Sequence, residues 1–144
     1  MDISIDEFTR KIRSRGYKLT PQRRVILEIL IKNKDNPLTP EGVYKQVKIS
    51  CSGVGLTTVY RTLELLRKIG VVNHVHFHDG CDRYEINDGK PHHYLICLNC
   101  GKVERTNLCF IDKMQKILEK DTTFKITEHC LSFFGYCRFC QLRK

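Results

Sequence analysis

Two Cys-x2-Cys pairs, Cys97–Cys100 and Cys137–Cys140, constrain this chain more than anything else in its sequence. Each pair suits a tight turn that aims two sulfurs at one point, and four such sulfurs make a closed tetrahedral zinc site. That site exists only if the fold joins positions separated by 36 residues. A strand-helix-strand unit fits inside that loop and can bring its ends together. Gly101 follows the first pair, as a knuckle turn requires. Zinc saturated by four thiolates has no open position, so the expected role is structural and not catalytic. The competing reading is four small apolar side chains. A thioredoxin-like dithiol fits less well, because neither pair opens a helix after a strand.

The setting supports metal over disulfide. A chain of 144 residues buries about two thirds of its unfolded surface, so its eight cysteines are not needed as staples. The first eight residues, MDISIDEF, lack the basic and apolar regions of a secretory signal. The longest hydrophobic run is five residues, Tyr94–Leu98, far short of a membrane span. A cytoplasmic protein with reduced thiols is expected. No Cys-His-acid arrangement with convincing spacing is present, so no enzyme is expected.

Charge adds a partner. Lys and Arg number 25 against 16 Asp and Glu, a formal +9. The excess is split almost evenly between the halves, but its placement is not. Arg10, Lys11, Arg13, Arg15, Lys18, Arg23 and Arg24 follow one another with no acidic residue between them. Such a stretch suits a polyanion; a basic amphipathic helix lying on a membrane shares the pattern. The elements that follow favour nucleic acid. Ser4 with Glu7 reads as a capping box, predicting a helix over 5–15 ended by Gly16. Thr20-Pro21 and Thr39-Pro40 read as N-caps with proline at the first helical position. A fourth helix is expected from Thr57 to Gly70, with Val59, Leu63, Leu66 and Ile69 inward. Two β-prone runs, 71–78 and 82–87, meet at Asp79-Gly80 as a hairpin. Helices followed by a hairpin is the order of a winged helix-turn-helix, although other small α+β domains share it. After the polar segment Asn87–Pro91, strands near 94–98, 102–106 and 124–134 are expected to flank a helix over 110–120. The expected fold is therefore α+β, with residues 1–88 as one domain and 89–144 as another.

The remaining candidates are less sharp. Cys130, on an alternating strand, is expected to be buried. His74, His76 and His78 alternate at strand spacing beside Cys81, which suits either a metal or solvated contacts near phosphate. His92, His93, Glu85, Asp112 and His129 form a His and carboxylate set around the linker and the second domain, suited to zinc, iron or manganese.

Taken together, several motifs resemble the ferric uptake regulator family of metal-dependent bacterial repressors over nearly the whole chain. They are Gly16-Tyr-Lys-Leu-Thr-Pro-Gln-Arg23, Thr57-Thr-Val-Tyr-Arg61, His92-His93-Tyr-Leu-Ile-Cys97 running into Cys97-Leu-Asn-Cys-Gly-Lys-Val103, and the final Cys-x2-Cys. The resemblance implies a winged-helix DNA-binding domain, then a dimerisation domain with structural Zn2+ on Cys97, Cys100, Cys137 and Cys140. It places Tyr60 and Arg61 at base edges, Lys18 near the minor groove and Arg23 on phosphate. Thr57 and Thr58 share the exposed first turn of that helix. It also implies an exchangeable Fe2+, Zn2+ or Mn2+, and here the sequence departs from the family. Of the ligands that join the domains, Glu85 and His92 match, while Pro37, Tyr94 and Arg105 stand where others are expected. A second set within the dimerisation domain retains His93, Asp112 and His129, with Pro91 in place of a further His. The implied function is a homodimeric metal-responsive repressor on a palindromic double-stranded DNA operator, with neither a membrane nor a small-molecule substrate as partner. The alternative is a constitutive, thiol-responsive or haem-responsive regulator whose only metal is structural zinc.

Overall fold

Ser4, Thr20 and Thr39 hold extended backbone just before a helix and turn their hydroxyls onto its first amides. Ser4 Oγ accepts from Asp6 N at 3.3 Å, Thr20 Oγ1 from Arg23 N at 3.3 Å, and Thr39 Oγ1 from Gly42 N at 3.0 Å. They start α1 (Ile5–Ser14), α2 (Pro21–Lys32) and α3 (Pro40–Ser50). The Ser4 hydroxyl takes Asp6 as its partner, while the Glu7 amide bonds the Ser4 carbonyl at 3.3 Å. Pro21 and Pro40 need no partner, since a first-turn amide has none within the helix. A fourth helix, α4 (Leu56–Lys68), begins after Gly55 with no side-chain cap. Gly16 and Gly70 follow α1 and α4 at φ of 84° and 79°, the left-handed geometry that ends a helix. The computed structural model describes residues 3–77, 79–108, 110–127 and 129–143.

The chain divides into two compact units, Met1–Asp88 and Gly89–Lys144. In the first, β1 (Val72–His76) pairs antiparallel with β2 (Asp82–Ile86), from Val72↔Ile86 to His76↔Asp82. The connection passes through Asp79 and Gly80, the latter at φ 74°. Ile12, Leu27, Val43, Leu63, Val72 and Ile86, one from each of the six elements, are all at most 2% exposed. Full burial of such side chains stabilises by about 1.5–3 kcal/mol each. Tyr84 is the hub of the hairpin. Its backbone forms a bridge with Leu38 between α2 and α3, and its hydroxyl donates to Glu64 Oε1 on α4 at 2.6 Å.

The second unit contains β3 (His93–Cys97), β4 (Val103–Thr106), α5 (Ile111–Asp121), β5 (Ser132–Gly135) and α6 (Arg138–Leu142). The sheet order is β4-β3-β5, with β3 antiparallel to β4 and parallel to β5. The strand expected over 124–134 is confined to its last part. The β3–β5 ladder begins at Tyr94↔Ser132, and the Phe124 and Ile126 amides bond instead to Thr122 Oγ1 and Glu119 Oε1. Those side-chain acceptors tie the segment back to α5. Cys130 therefore lies outside β5 and is exposed, contrary to the buried position its alternation suggested. Among the described residues of this unit only His93, Tyr94 and Cys97 are buried. The helix α5 buries none of its side chains, leaving Met114, Ile117 and Leu118 46–62% exposed.

Candidate metal centre and nucleic-acid interface

Cys97 closes β3 and Cys100 follows on the turn into β4, where the Gly101 amide returns to the Cys97 carbonyl at 3.0 Å with φ of 75°. Cys137 is the residue before α6, and Cys140 lies within that helix. The parallel β3–β5 pairing carries the second pair to the first. All four sulfurs lie within 4.8 Å of one another, with Cys100 Sγ 3.7 Å from Cys137 Sγ. A tetrahedral Zn–S distance of 2.3 Å puts its sulfurs about 3.8 Å apart, so the donor set fits zinc in identity, number and spacing.

Backbone and amide groups prepare the thiolates. The amides of Cys100 and Cys137 hold the Cys97 thiol down to about 6, and Cys137 is lowered by the backbone amide of Cys140. The Asn99 Nδ2 donates to Cys140 Sγ at 3.2 Å. That bond lowers Cys140, but Cys137, burial and then Cys97 and Cys100 together outweigh it and push the thiol up to about 11. Full deprotonation of the cluster therefore calls for a cation. Asn99 was not singled out from sequence, although its place inside the Cys-x2-Cys loop marks it as a second-layer donor.

On α4 the buried face is Val59, Thr62, Leu63 and Leu66. The opposite face presents Thr57, Tyr60 and Arg61, with Thr58 half-buried beside them. The Tyr60 hydroxyl donates to Glu41 Oε1 on α3 at 2.7 Å. The bond lowers the Glu41 carboxyl and raises the Tyr60 phenol. Glu41 was missed in the sequence, since the pairing is tertiary and 19 residues long. Lys18 is exposed, and Arg23 Nη1 donates to its carbonyl at 2.7 Å, fixing the loop between α1 and α2. Two more of the basic cluster are engaged. Lys11 Nζ donates to the Gly70 carbonyl at 3.0 Å and Arg24 pairs with Glu28 at 3.1 Å.

The regulatory candidates converge only in part. His93, buried at the start of β3, and the exposed His129 have ring centroids 5.5 Å apart. Burial first, and then His129, lowers the His93 imidazole. Among the described residues, the sets of three or more donors within 4.8 Å of one another are the four cysteines and His74, His76 and Asp82. Asp112, exposed on α5, is in neither. Glu85 is buried on β2 of the first unit. His92 belongs to the second, where its Nδ1 lies 3.0 Å from the Lys90 carbonyl and 3.1 Å from Arg105 Nη2. Its ring stands edge-on to Tyr94 at 5.5 Å. Tyr94 and Arg105 face each other in the β3–β4 register, so two of the three substituted positions are packed on His92. Cys51 packs against the first core and Cys81 is exposed. Cys109 and His78 lie outside the described residues.

A helical unit closed by a hairpin is thus followed by an α/β unit that gathers four cysteine sulfurs at one point. The family model of the ferric uptake regulator family matches residues 14–134. The chain is 40% identical over 143 residues to the ferric uptake regulation protein of Bacillus subtilis, covering 97% of this chain and 96% of that protein. It is 36% identical to that of Campylobacter jejuni, covering 99% and 92%. The Helicobacter pylori ferric uptake regulator, a structure reported to reveal three functional metal binding sites, superposes with a TM-score of 0.74. Identity there is 26%, with 95% of this chain and 91% of that one covered. The Vibrio cholerae ferric uptake regulator gives a TM-score of 0.72 at 30% identity, covering 90% and 99%. The chain belongs to the ferric uptake regulator family.

Proposed function

We propose that the chain is a metal-responsive transcriptional repressor, not an enzyme, that binds a palindromic DNA operator as a homodimer in the cytoplasm. The observation that carries the DNA reading is the first turn of α4, which presents Thr57, Thr58, Tyr60 and Arg61 opposite a fully buried face. Such a turn is what enters a major groove, where arginine bonds guanine bidentately and an aromatic ring packs on a thymine methyl. Beside it, Lys18 supplies the minor-groove contact and Arg23 the phosphate contact. The hairpin is the wing. No helix among the described residues is long and apolar enough to cross a membrane.

Dimerisation is supported by α5, whose exposed Met114, Ile117 and Leu118 form an apolar face suited to a second copy. Zn2+ on Cys97, Cys100, Cys137 and Cys140 holds that unit together. The exchangeable ion, Fe2+, Zn2+ or Mn2+, takes His93 and His129 as its core ligands, with Asp112 as the added carboxylate. By linkage, the free energy coupling metal to the DNA-competent dimer appears equally as metal-dependent DNA affinity.

The test is fluorescence anisotropy of labelled operator DNA, with and without a chelator too weak to strip the four-thiolate site. Metal-stimulated binding that is lost in His129→Ala supports the proposal. Tight binding indifferent to the chelator and to His129→Ala would overturn its metal-responsive part. The constitutive alternative draws on His92, whose Nδ1 is already engaged by Arg105, and on Asp112, which is not gathered with His93 and His129.

A further inference from the structure

We infer that His74, His76 and Asp82 form a third metal site, on the hairpin of the first unit, that takes an exchangeable divalent transition-metal ion. His74 and His76 are two residues apart on β1 and share a face, and Asp82 stands directly opposite His76 in the β1–β2 register. His74 Nε2 lies 2.9 Å and His76 Nδ1 3.7 Å from the same oxygen, Asp82 Oδ1, and one donor atom from each residue falls within 4.8 Å of the others. Metal–ligand bonds of about 2.0–2.2 Å put neighbouring donors roughly 3.0–3.5 Å apart, so small side-chain adjustments admit the ion. The two imidazoles stand edge to face with centroids 4.2 Å apart, as rings turned toward one point would.

The three residues differ in how firmly they are held. His74 is 13% exposed and packs on the Tyr84 ring at 5.2 Å, while His76 and Asp82 are 63% and 58% exposed. One anchored ligand and two open ones leave a path for the ion and room for water in the remaining positions. Two imidazoles and one carboxylate are donors for Zn2+, Co2+, Ni2+ or Cu2+ and not for Mg2+ or Ca2+. This site shares no residue with the four-thiolate cluster or with His93 and His129, so it stands or falls apart from them. Its occupation would staple β1 to β2. It would also replace the negative charge of Asp82 with a net positive one on an element read above as facing DNA.

The direct test counts metal. Zinc-loaded, full-length protein is titrated with Co2+ by equilibrium dialysis, in the native chain and in His76→Ala, Asp82→Asn, His129→Ala and the His76→Ala/His129→Ala double variant. His76→Ala and Asp82→Asn are each expected to lose one equivalent of bound Co2+ per chain, and the double variant one more than His129→Ala. In the native protein, Co2+ should broaden or shift the ring-proton NMR signals of both His74 and His76. Both substituted side chains are more than half exposed, so far-UV circular dichroism should be unchanged. Native Co2+ stoichiometry in folded His76→Ala and Asp82→Asn, or His74 and His76 signals untouched by Co2+, would overturn the inference. Retention of all Co2+ by His129→Ala would instead count against the regulatory site, leaving this one standing.

Discussion

Removing zinc from the four cysteines should unfold the second unit and leave the first one folded. Among its described residues, that unit buries only His93, Tyr94 and Cys97. Tyr94 and Cys97 together supply at most about 6 kcal/mol at about 1.5–3 kcal/mol per fully buried side chain. A structural zinc ion contributes about 10–16 kcal/mol to the fold it closes, which exceeds that core and matches the whole net stability of a typical domain, about 5–15 kcal/mol. Without the ion, the apolar face of α5 also loses the scaffold that presents it. The assay is hydrogen exchange with size-exclusion chromatography, on native protein, on protein stripped by a strong chelator in reductant, and on Cys100→Ser. Amides of β3, β4 and β5 should lose protection, the proposed dimer should dissociate, and amides of α2 and α4 should stay protected. A zinc-free protein that remains dimeric, with β3 amides as slow as in the native chain, would refute the reasoning.

Four further outcomes follow from the first unit. Thr20→Ala and Thr39→Ala each remove a hydroxyl cap and should cost about 1 kcal/mol, adding in the double variant, as read by urea unfolding. Tyr84→Phe should cost about 1 kcal/mol, below the roughly 1.5–3 kcal/mol of a bond to a charged group, because the half-exposed Glu64 carboxylate can turn to water. A double-mutant cycle with Glu64→Gln should show most of that cost as coupling. Asp79 is held down to about 2, first by its bidentate bond with Arg83 and then by the Cys81 amide. Its folded-state value lies below the ordinary one, so the stability it adds is present above about pH 4 and lost as pH falls through about 2. Carboxyl 13C NMR should show that low midpoint, and Arg83→Gln should return it toward the ordinary range. Finally, log affinity for operator DNA should fall linearly with log salt concentration, and Arg23→Ala, which removes the proposed phosphate contact, should reduce the slope by about 1.

What could be read from the sequence divides by range. The caps at Ser4, Thr20 and Thr39, the stops at Gly16 and Gly70 and the inward stripe of α4 are local, and local chemistry determined them. The cysteine pairs were legible because a metal site imposes spacing rules that survive a long loop. The segment 124–131 misled because alternation describes the period of a strand but supplies no partner, and the β3–β5 ladder starts only at Ser132. Cys130 came out exposed for the same reason. The five-residue α6 is too short to leave a periodic signal. Contacts such as Tyr60–Glu41 and His92–Arg105 join residues from different elements, so one sequence cannot reveal them. Asp112 shows the converse: a match to a family position did not place it among the donors gathered with His93 and His129.

The placement of β3 between an antiparallel and a parallel neighbour gives the zinc site two halves that mature on different clocks. Cys97 and Cys100 meet across one turn, so their half forms as soon as β3 and β4 pair. Cys137 lies 37 residues beyond Cys100, and the parallel ladder must close across β4, α5 and the following loop. The length-dependent part of closing such a loop is about 3 kcal/mol, which non-local pairing must meet before it returns any contact energy. A zinc ion captured by the first pair turns the arrival of the second into an intramolecular chelation. The metal thereby becomes a determinant of how quickly a newly made chain presents the apolar face of α5 proposed for dimerisation, and scarcity of zinc would delay that step.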